Sequence, residues 1–222
     1  MNTSVSELAR VFQAVVDVLA QQREGLNHAD TVNNNHGDHM LEIFRIATQA
    51  VQDLPLASLP GVLEQAGRLL TQLEDNASAQ VYAHGLEQFG RAFHQHQVEF
   101  DDLARYLRQV LEVPPTSGTT SGQAASSSKA ETGGEVLKAL VAGLVAWGQV
   151  ENGENPSEKG VDMGYLFELG ITYMQAKSRG GTRLEVLSEA AVNASPLSRV
   201  PYRAQSGKLA FNALLQAFSV NP

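Results

Sequence analysis

The chain has 222 residues and a mass of 23.9 kDa, with 43% hydrophobic and 18% charged residues, so it can bury a core and wholesale disorder is excluded. Sixteen Lys and Arg against 24 Asp and Glu leave a net charge of −8, a sign that repels nucleic-acid phosphates and anionic lipid. The absence of cysteine removes disulfides, thiolate nucleophiles and Cys-ligated zinc or iron–sulfur sites.

Apolar residues recur at helical spacing along most of the chain. Val5, Leu8, Val11, Phe12, Val15, Val16 and Leu19 form one stripe, and Ser4 with Glu7 fits a capping box at its start. The polar stretch 23–39 reads as a long loop. A helix over 40–54 carries Leu41, Phe44, Ala47 and Val51 and stops before Pro55. Ser58 and Pro60 then signal a cap with proline in the first turn, ahead of Val62, Leu63, Ala66, Leu69, Leu70 and Leu73. After a turn at 74–78, Val81, Gly85, Leu86, Phe89 and Phe93 mark a helix ending near His94. Phe100, Leu103, Leu107, Val110 and Leu111 give a shorter helix started by Glu99 or Asp101.

Segment 114–134 has no large apolar residue and cannot bury enough surface to offset its ordering entropy, so it reads as a flexible linker or surface loop. Beyond it, helical patterns fall at 136–149, 161–177, 182–192 and 209–220, joined by 151–160, 178–181 and 193–207. Gly85, Gly143, Gly164 and Gly170 on the apolar stripes indicate close helix approach. The expected fold is all-α, an antiparallel bundle or barrel of about eight to nine helices. A single domain over 1–222 with 114–134 as a loop inside it is favoured over two four-helix domains. The longest apolar run, 139–147, is too short to span a bilayer, and 1–12 lacks a basic stretch before an apolar one. A cytoplasmic protein with neither nucleic acid nor membrane as partner is the expectation.

All six histidines (His28, His36, His39, His84, His94 and His96) lie in the first half. Three of them share one stretch with Asp30, Asn33, Asn34, Asn35 and Asp38, which feeds a helix N-terminus whose free N–H groups suit a phosphate or carboxylate. The competing reading is turn chemistry, with Asp38 capping the helix that starts near Met40. His94 and His96 are expected to be exposed, and His84 either exposed or against a neighbouring helix. Trp147 is expected in the core. Arg199, Arg203 and Lys208, with Tyr202 among them, either meet a phosphate or acidic partner or are solvated flanks of the last helix.

The stretch containing His36-Gly37 and Met40, the Asn76-Ala77-Ser78 turn and the loop Ala194-Ser195-Pro196-Leu197-Ser198-Arg199 together resemble the L subunit of dihydroxyacetone (glycerone) kinase, the DhaL-like domain. A weaker match pairs Gly160-Val161-Asp162-Met163 with the family's sixth-helix start. The resemblance spans most of the chain outside 114–134. It implies an eight-helix antiparallel barrel whose loops at one end bind ADP or ATP with magnesium. On that basis Asn76, Ala77, Ser78, Ser195, Leu197 and Arg199 are the implied nucleotide- and phosphate-binding residues. A separate substrate-binding subunit is the implied partner.

The family's three magnesium-binding aspartates fall here on His28, Asn33 and Asn35. Magnesium wants carboxylate oxygen, so an ordinary kinase site is not expected. A relocated site built from His28, Asp30, Asn33, Asn35, His36, Asp38 and His39 would suit Zn²⁺, Mn²⁺ or Fe²⁺ better. The leading expectation is a divergent DhaL-like domain that binds a nucleotide or phosphorylated small molecule and is related to phosphotransfer. The alternative is a non-catalytic binding or regulatory module on an inherited kinase-subunit fold, and a third reading is a helical oligomerisation scaffold. No residue stands out as a general base.

Overall fold

The apolar stripes become helices in the computed structural model, which describes residues 3–54, 58–112, 127–149, 171, 174–175 and 177–219. The order is α1 (Thr3–Ala29), α2 (His36–Asp53), α3 (Leu59–Leu70), α4 (Ala77–Gln95), α5 (Phe100–Glu112), α6 (Ser127–Gln149), α7 (Arg183–Asn193), a 3-10 turn (Pro196–Arg199) and α8 (Pro201–Ser219). Among the described residues all regular structure is helical, and no helix is long and apolar enough to cross a membrane.

Local sequence explains several boundaries. Ser58 accepts from the Gly61 N–H with Pro60 inside the first turn of α3, as the sequence predicts. Asn76 caps α4 by accepting from the Ala79 N–H at 2.9 Å. Thr182 and Glu185 form a reciprocal capping box on α7.

Helices pack as α1 with α2, α3 with α4, α4 with α6, and α7 with α8, while α8 also packs on α1. The paired residues run antiparallel: Arg23 and Phe12 meet Gly37 and Phe44, and Gly67 and Glu64 meet Glu87 and Gly90. Gly85 and Phe89 likewise meet Trp147 and Gly143, and Val192 and Glu189 meet Gly207 and Lys208. One hydrophobic cluster draws on all eight of the described helices. Fully buried Leu19, Leu26 and Leu70 lie in it, and burying a side chain of this size stabilises by about 1.5–3 kcal/mol. A chain of aromatic contacts crosses it, from Phe12 to Phe44 (6.4 Å between centroids), Phe44 to Tyr82 (5.6 Å), Tyr82 to Trp147 (6.1 Å) and Trp147 to Phe89 (6.3 Å). Trp147 is core, as expected, and its indole N–H donates to the Val81 carbonyl at 2.9 Å.

The structure moves several predicted boundaries. The helix α1 continues to Ala29, so most of the predicted 23–39 loop is helical and only 30–35 turns the chain. The buried Leu26 continues the α1 stripe and holds that last stretch against the core. The next helix starts at His36 rather than Met40, because His36 and Gly37 are themselves buried. Ser4 lies inside α1, not ahead of it. The helix α6 begins at Ser127, so the latter part of the predicted 114–134 linker is helical; 113–126 lie outside the described residues. The helix α8 begins at Pro201 rather than Leu209, since proline sits without penalty at the first helical position. The predicted 193–207 connection thereby shrinks to a short link around the 3-10 turn. Most of the predicted 161–177 helix, with Gly164, Gly170 and the 160–163 segment, lies outside the described residues.

Candidate functional site

The antiparallel order brings the first turns of α2, α4 and α8 to one end of the bundle. Asp30 closes α1 there. Its carboxylate accepts from the Val32 N–H (3.0 Å) and the Asn35 N–H (3.4 Å), while Asn34 takes a left-handed φ of 57°, which asparagine tolerates. Asn27, in the last turn of α1, supplies the cap of α2: its Oδ1 accepts from Gly37 N–H at 2.6 Å and Asp38 N–H at 3.2 Å. Its Nδ2 donates to Asp38 at 2.7 Å.

This turn delivers His36 into the interior, where it is 2% exposed. Its Nε2 lies 2.8 Å from Ser206 Oγ on α8, its Nδ1 lies 3.5 Å from Ser78 Oγ on α4, and its ring meets Tyr202 edge-on at 4.7 Å. The Ser206 hydroxyl donates to the Arg203 carbonyl at 3.0 Å. That network assigns the proton to Nε2, which donates to Ser206, and leaves Nδ1 as the acceptor facing Ser78. Burial lowers the His36 pKa to about 4, assisted by the charges of Arg203 and His39 and opposed by Asp30, so the ring is neutral at pH 7. Asn76 ties α4 to α2, donating to the His39 carbonyl (3.3 Å) and to Glu42 (3.2 Å).

Beside this cluster some buried polar atoms have no hydrogen-bond partner among the described residues: the Tyr82 hydroxyl, Arg203 Nε and Asn35 Oδ1. Burial raises the Tyr82 phenol well above its usual range, and the Arg203 guanidinium opposes that shift. An open groove of about 480 Å³ runs outside α2 from the same end, lined by Arg23, Asp38, His39, Glu42 and Arg45.

The predicted site residues are distributed as follows. His36 and Ser78 come together, and Asn76 joins their two helices. His28 and Asn33 are exposed, as is Ala77, and Asn35 and His39 are half-buried. Ser195 is buried and donates to the Val192 carbonyl at 2.8 Å. Leu197 is fully buried beside Gly207, one residue from Ser206, so its side chain serves packing. Arg199 is exposed, and Lys208 pairs with Glu189 at 3.2 Å. His94 is exposed as expected, but His96 pairs with Glu135 at 2.8 Å. His84 packs against α6, where burial lowers its pKa and the Ala146 backbone offsets this in part.

The described residues at this end of the bundle do not fit a divalent metal. Among the described residues no three His, Asp or Glu side chains are grouped to hold one. The closest candidates are engaged: Asp30 by its own turn, Asp38 by Asn27 and by Arg23 at 3.6 Å, Glu42 by Asn76, and His36 by Ser206. Ser78 is 3% exposed and too enclosed to present its oxygen to a reacting group; it positions the His36 ring.

Asn27, Tyr82 and Ser206 are site residues that sequence reasoning missed. Tyr82 had a legible signal, since it lies one helical turn beyond Ser78 and so shares its face. Asn27 and Ser206 carried none, because their roles depend on contacts between helices. No protein-family model, curated protein or solved structure matches the chain.

Proposed function

We propose that the chain is a helical binding module that takes a nucleotide or another phosphorylated small molecule at the His36 end of the bundle, without itself carrying out phosphotransfer. The observation that carries this reading is the meeting of the first turns of α2 and α4 with the first two turns of α8 around one neutral histidine. Helix N-termini present the positive end of the peptide dipoles, which favours an anion, although the Gly37, Asp38 and Ala79 N–H groups here are already taken by Asn27 and Asn76.

Kinship with the L subunit of dihydroxyacetone kinase is part of the proposal. The segments that carry the resemblance support it by their placement: His36 contacts Ser78 directly, and the 3-10 turn holding Leu197 packs against α8 beside Ser206. The engaged carboxylates argue for binding without the magnesium chemistry of that family. A regulatory or adaptor role beside a separate substrate-binding protein follows from the same reading.

The test is thermal unfolding with ADP or ATP in Mg²⁺, Mn²⁺ or EDTA. A ligand at one hundred times its Kd stabilises the folded state by about 2.7 kcal/mol. Stabilisation that survives EDTA is the expected result. No stabilisation under any condition removes the binding reading, and stabilisation only with metal, accompanied by nucleotide turnover, restores the kinase reading.

A further inference from the structure

We infer that the ligand lies in the groove outside α2, with its phosphate on Arg45 and its hydroxyl or amino donors on Glu42. The inference rests on the binding reading above and adds to it the place and the ligand class, a phosphate ester that also carries hydrogen-bond donors.

The enclosed part of this end of the bundle is already satisfied. Asn27 and Asn76 take the Gly37, Asp38 and Ala79 N–H groups, and His36, Ser78 and Ser206 are at most 3% exposed and joined through the His36 ring. The groove starts at the same end and is open to solvent. Its volume of about 480 Å³ falls within the roughly 300–1,000 Å³ of small-molecule sites. Most of its lining comes from α2. Asp38, Glu42 and Arg45 stand four and then three residues apart on one face, while buried Leu41 and half-buried Ile46 give an apolar floor. Arg23 of α1 lines the Asp38 end and pairs with that carboxylate at 3.6 Å.

Arg45 is singled out by a pair that does not form. Residues three or four apart on a helix are neighbours, and three oppositely charged pairs of this kind close elsewhere in the chain. They are Glu87 with Arg91 at 3.8 Å, Asp102 with Arg105 at 3.4 Å and Glu135 with Lys138 at 2.6 Å. Glu42 and Arg45 have the same spacing, yet Glu42 accepts from Asn76 Nδ2 at 3.2 Å. Asn76 is 3% exposed and also bonded to the His39 carbonyl, so it holds Glu42 from the α4 side. Asp38 is drawn off in the same way, by Asn27 at 2.7 Å and by Arg23. Of the two arginines in the groove, Arg45 is the one with no hydrogen bond or ion pair among the described residues.

The two side chains select the ligand between them. A guanidinium presents a planar fork of N–H donors that matches phosphate oxygens. A carboxylate only accepts, so Glu42 calls for a donor beside that phosphate, and a bare anion would meet repulsion there. The two positions lie about 5–6 Å apart on the helix surface, a spacing that a phosphorylated sugar bridges. The competing arrangement is an arginine solvated on an open surface, where charges contribute little. It predicts unchanged ligand affinity when Arg45 is replaced. Glu42 separates the two further. On charge alone, removing a carboxylate beside an anion tightens binding, whereas removing an acceptor that the ligand uses weakens it.

The experiment measures affinity for ADP by titration calorimetry, in EDTA at fixed ionic strength, with adenosine as the probe lacking phosphate. Wild type is compared with Arg45→Gln, Glu42→Ala and Arg105→Gln, the last removing an equal charge on α5 outside the groove. All three side chains are exposed, and Asn76 keeps the His39 carbonyl in Glu42→Ala, so each variant should show wild-type helicity by circular dichroism. The expected result is ADP binding by the wild type, at least fivefold weaker in Arg45→Gln and in Glu42→Ala but not in Arg105→Gln. Adenosine should bind the wild type at least fivefold more weakly than ADP. A loss smaller than fivefold in Arg45→Gln or Glu42→Ala overturns the groove assignment while leaving the binding reading standing, and so does an equal loss in Arg105→Gln. Adenosine binding as tightly as ADP overturns it as well, since the phosphate then takes no part. Absence of ADP binding by the wild type overturns the groove assignment and the binding reading together.

Discussion

The Nε2 of His36 lies 2.8 Å from the Oγ of Ser206, joining the first turn of α2 to the second turn of α8 across 170 positions of sequence. The pair closes the bundle at the end where α4 also begins, and it fixes the tautomer of the histidine, while burial keeps the ring neutral. Replacing Ser206 by alanine leaves the buried Nε2 proton without that partner, at a cost of about 1–3 kcal/mol. Urea denaturation at pH 7 measures it; an unchanged midpoint would show that the pair contributes nothing.

The same histidine sets a pH dependence. Burial holds its pKa at about 4 in the folded chain, against 6.5 for a free histidine. Between those values the unfolded chain binds more protons, so the free energy of unfolding rises with pH. The contribution is complete above about pH 6.5 and is lost as pH falls towards 4. It amounts to on the order of 3 kcal/mol from His36, and burial shifts His84 in the same direction. Denaturation curves from pH 4 to 7 should show this slope, and His36→Gln should flatten it. An equal slope in the variant would place the acid sensitivity elsewhere.

Asn27 caps a helix to which it does not belong. Its amide accepts from two N–H groups of α2 and donates to Asp38, satisfying both ends of the side chain. Asn27→Ala should cost about 1–2 kcal/mol, in the range of lost N-caps. Amide exchange should accelerate at Gly37 and Asp38 while the middle of α2 stays protected. Uniform acceleration along α2 would contradict a local capping role.

Gly37 marks a close approach of α1 and α2 at this end. A Cβ there would stand 2.2 Å from the Arg23 carbonyl oxygen and 2.9 Å from Asn27 Oδ1. The first obstacle is backbone and cannot rotate away, so Gly37→Ala should destabilise by about 2 kcal/mol or more, towards the upper end of overpacking costs. Wild-type stability in this variant would mean that the two helices are further apart than described.

Gly85 gives a similar close approach with a spectroscopic reporter. A Cβ at this position would lie 2.7 Å from the Trp147 ring, which the hydrogen bond to Val81 holds in place. Gly85→Ala should cost roughly 1–3 kcal/mol and alter the emission of Trp147, the only tryptophan in the chain. An unperturbed emission spectrum would count against that packing.

What the sequence determined by itself was periodic or local. Apolar spacing gave the all-α class and most helices, because a stripe at positions three and four apart needs only its own residues to be recognised. Ser58 with Pro60 was equally legible, since that cap acts within one turn. The end of α1 was misjudged because its polar residues carry no apolar stripe beyond Leu26, and the contacts of Asn27 that also hold it are made to another helix. The polar residues of 28–39 looked alike as a set, yet His36 is enclosed while His28 and Asn33 face solvent. Only the tertiary structure separated them. The deciding contacts, Asn27 with Gly37 and His36 with Ser206, depend on how whole helices stack, and burial then sets both hydrogen-bond need and charge.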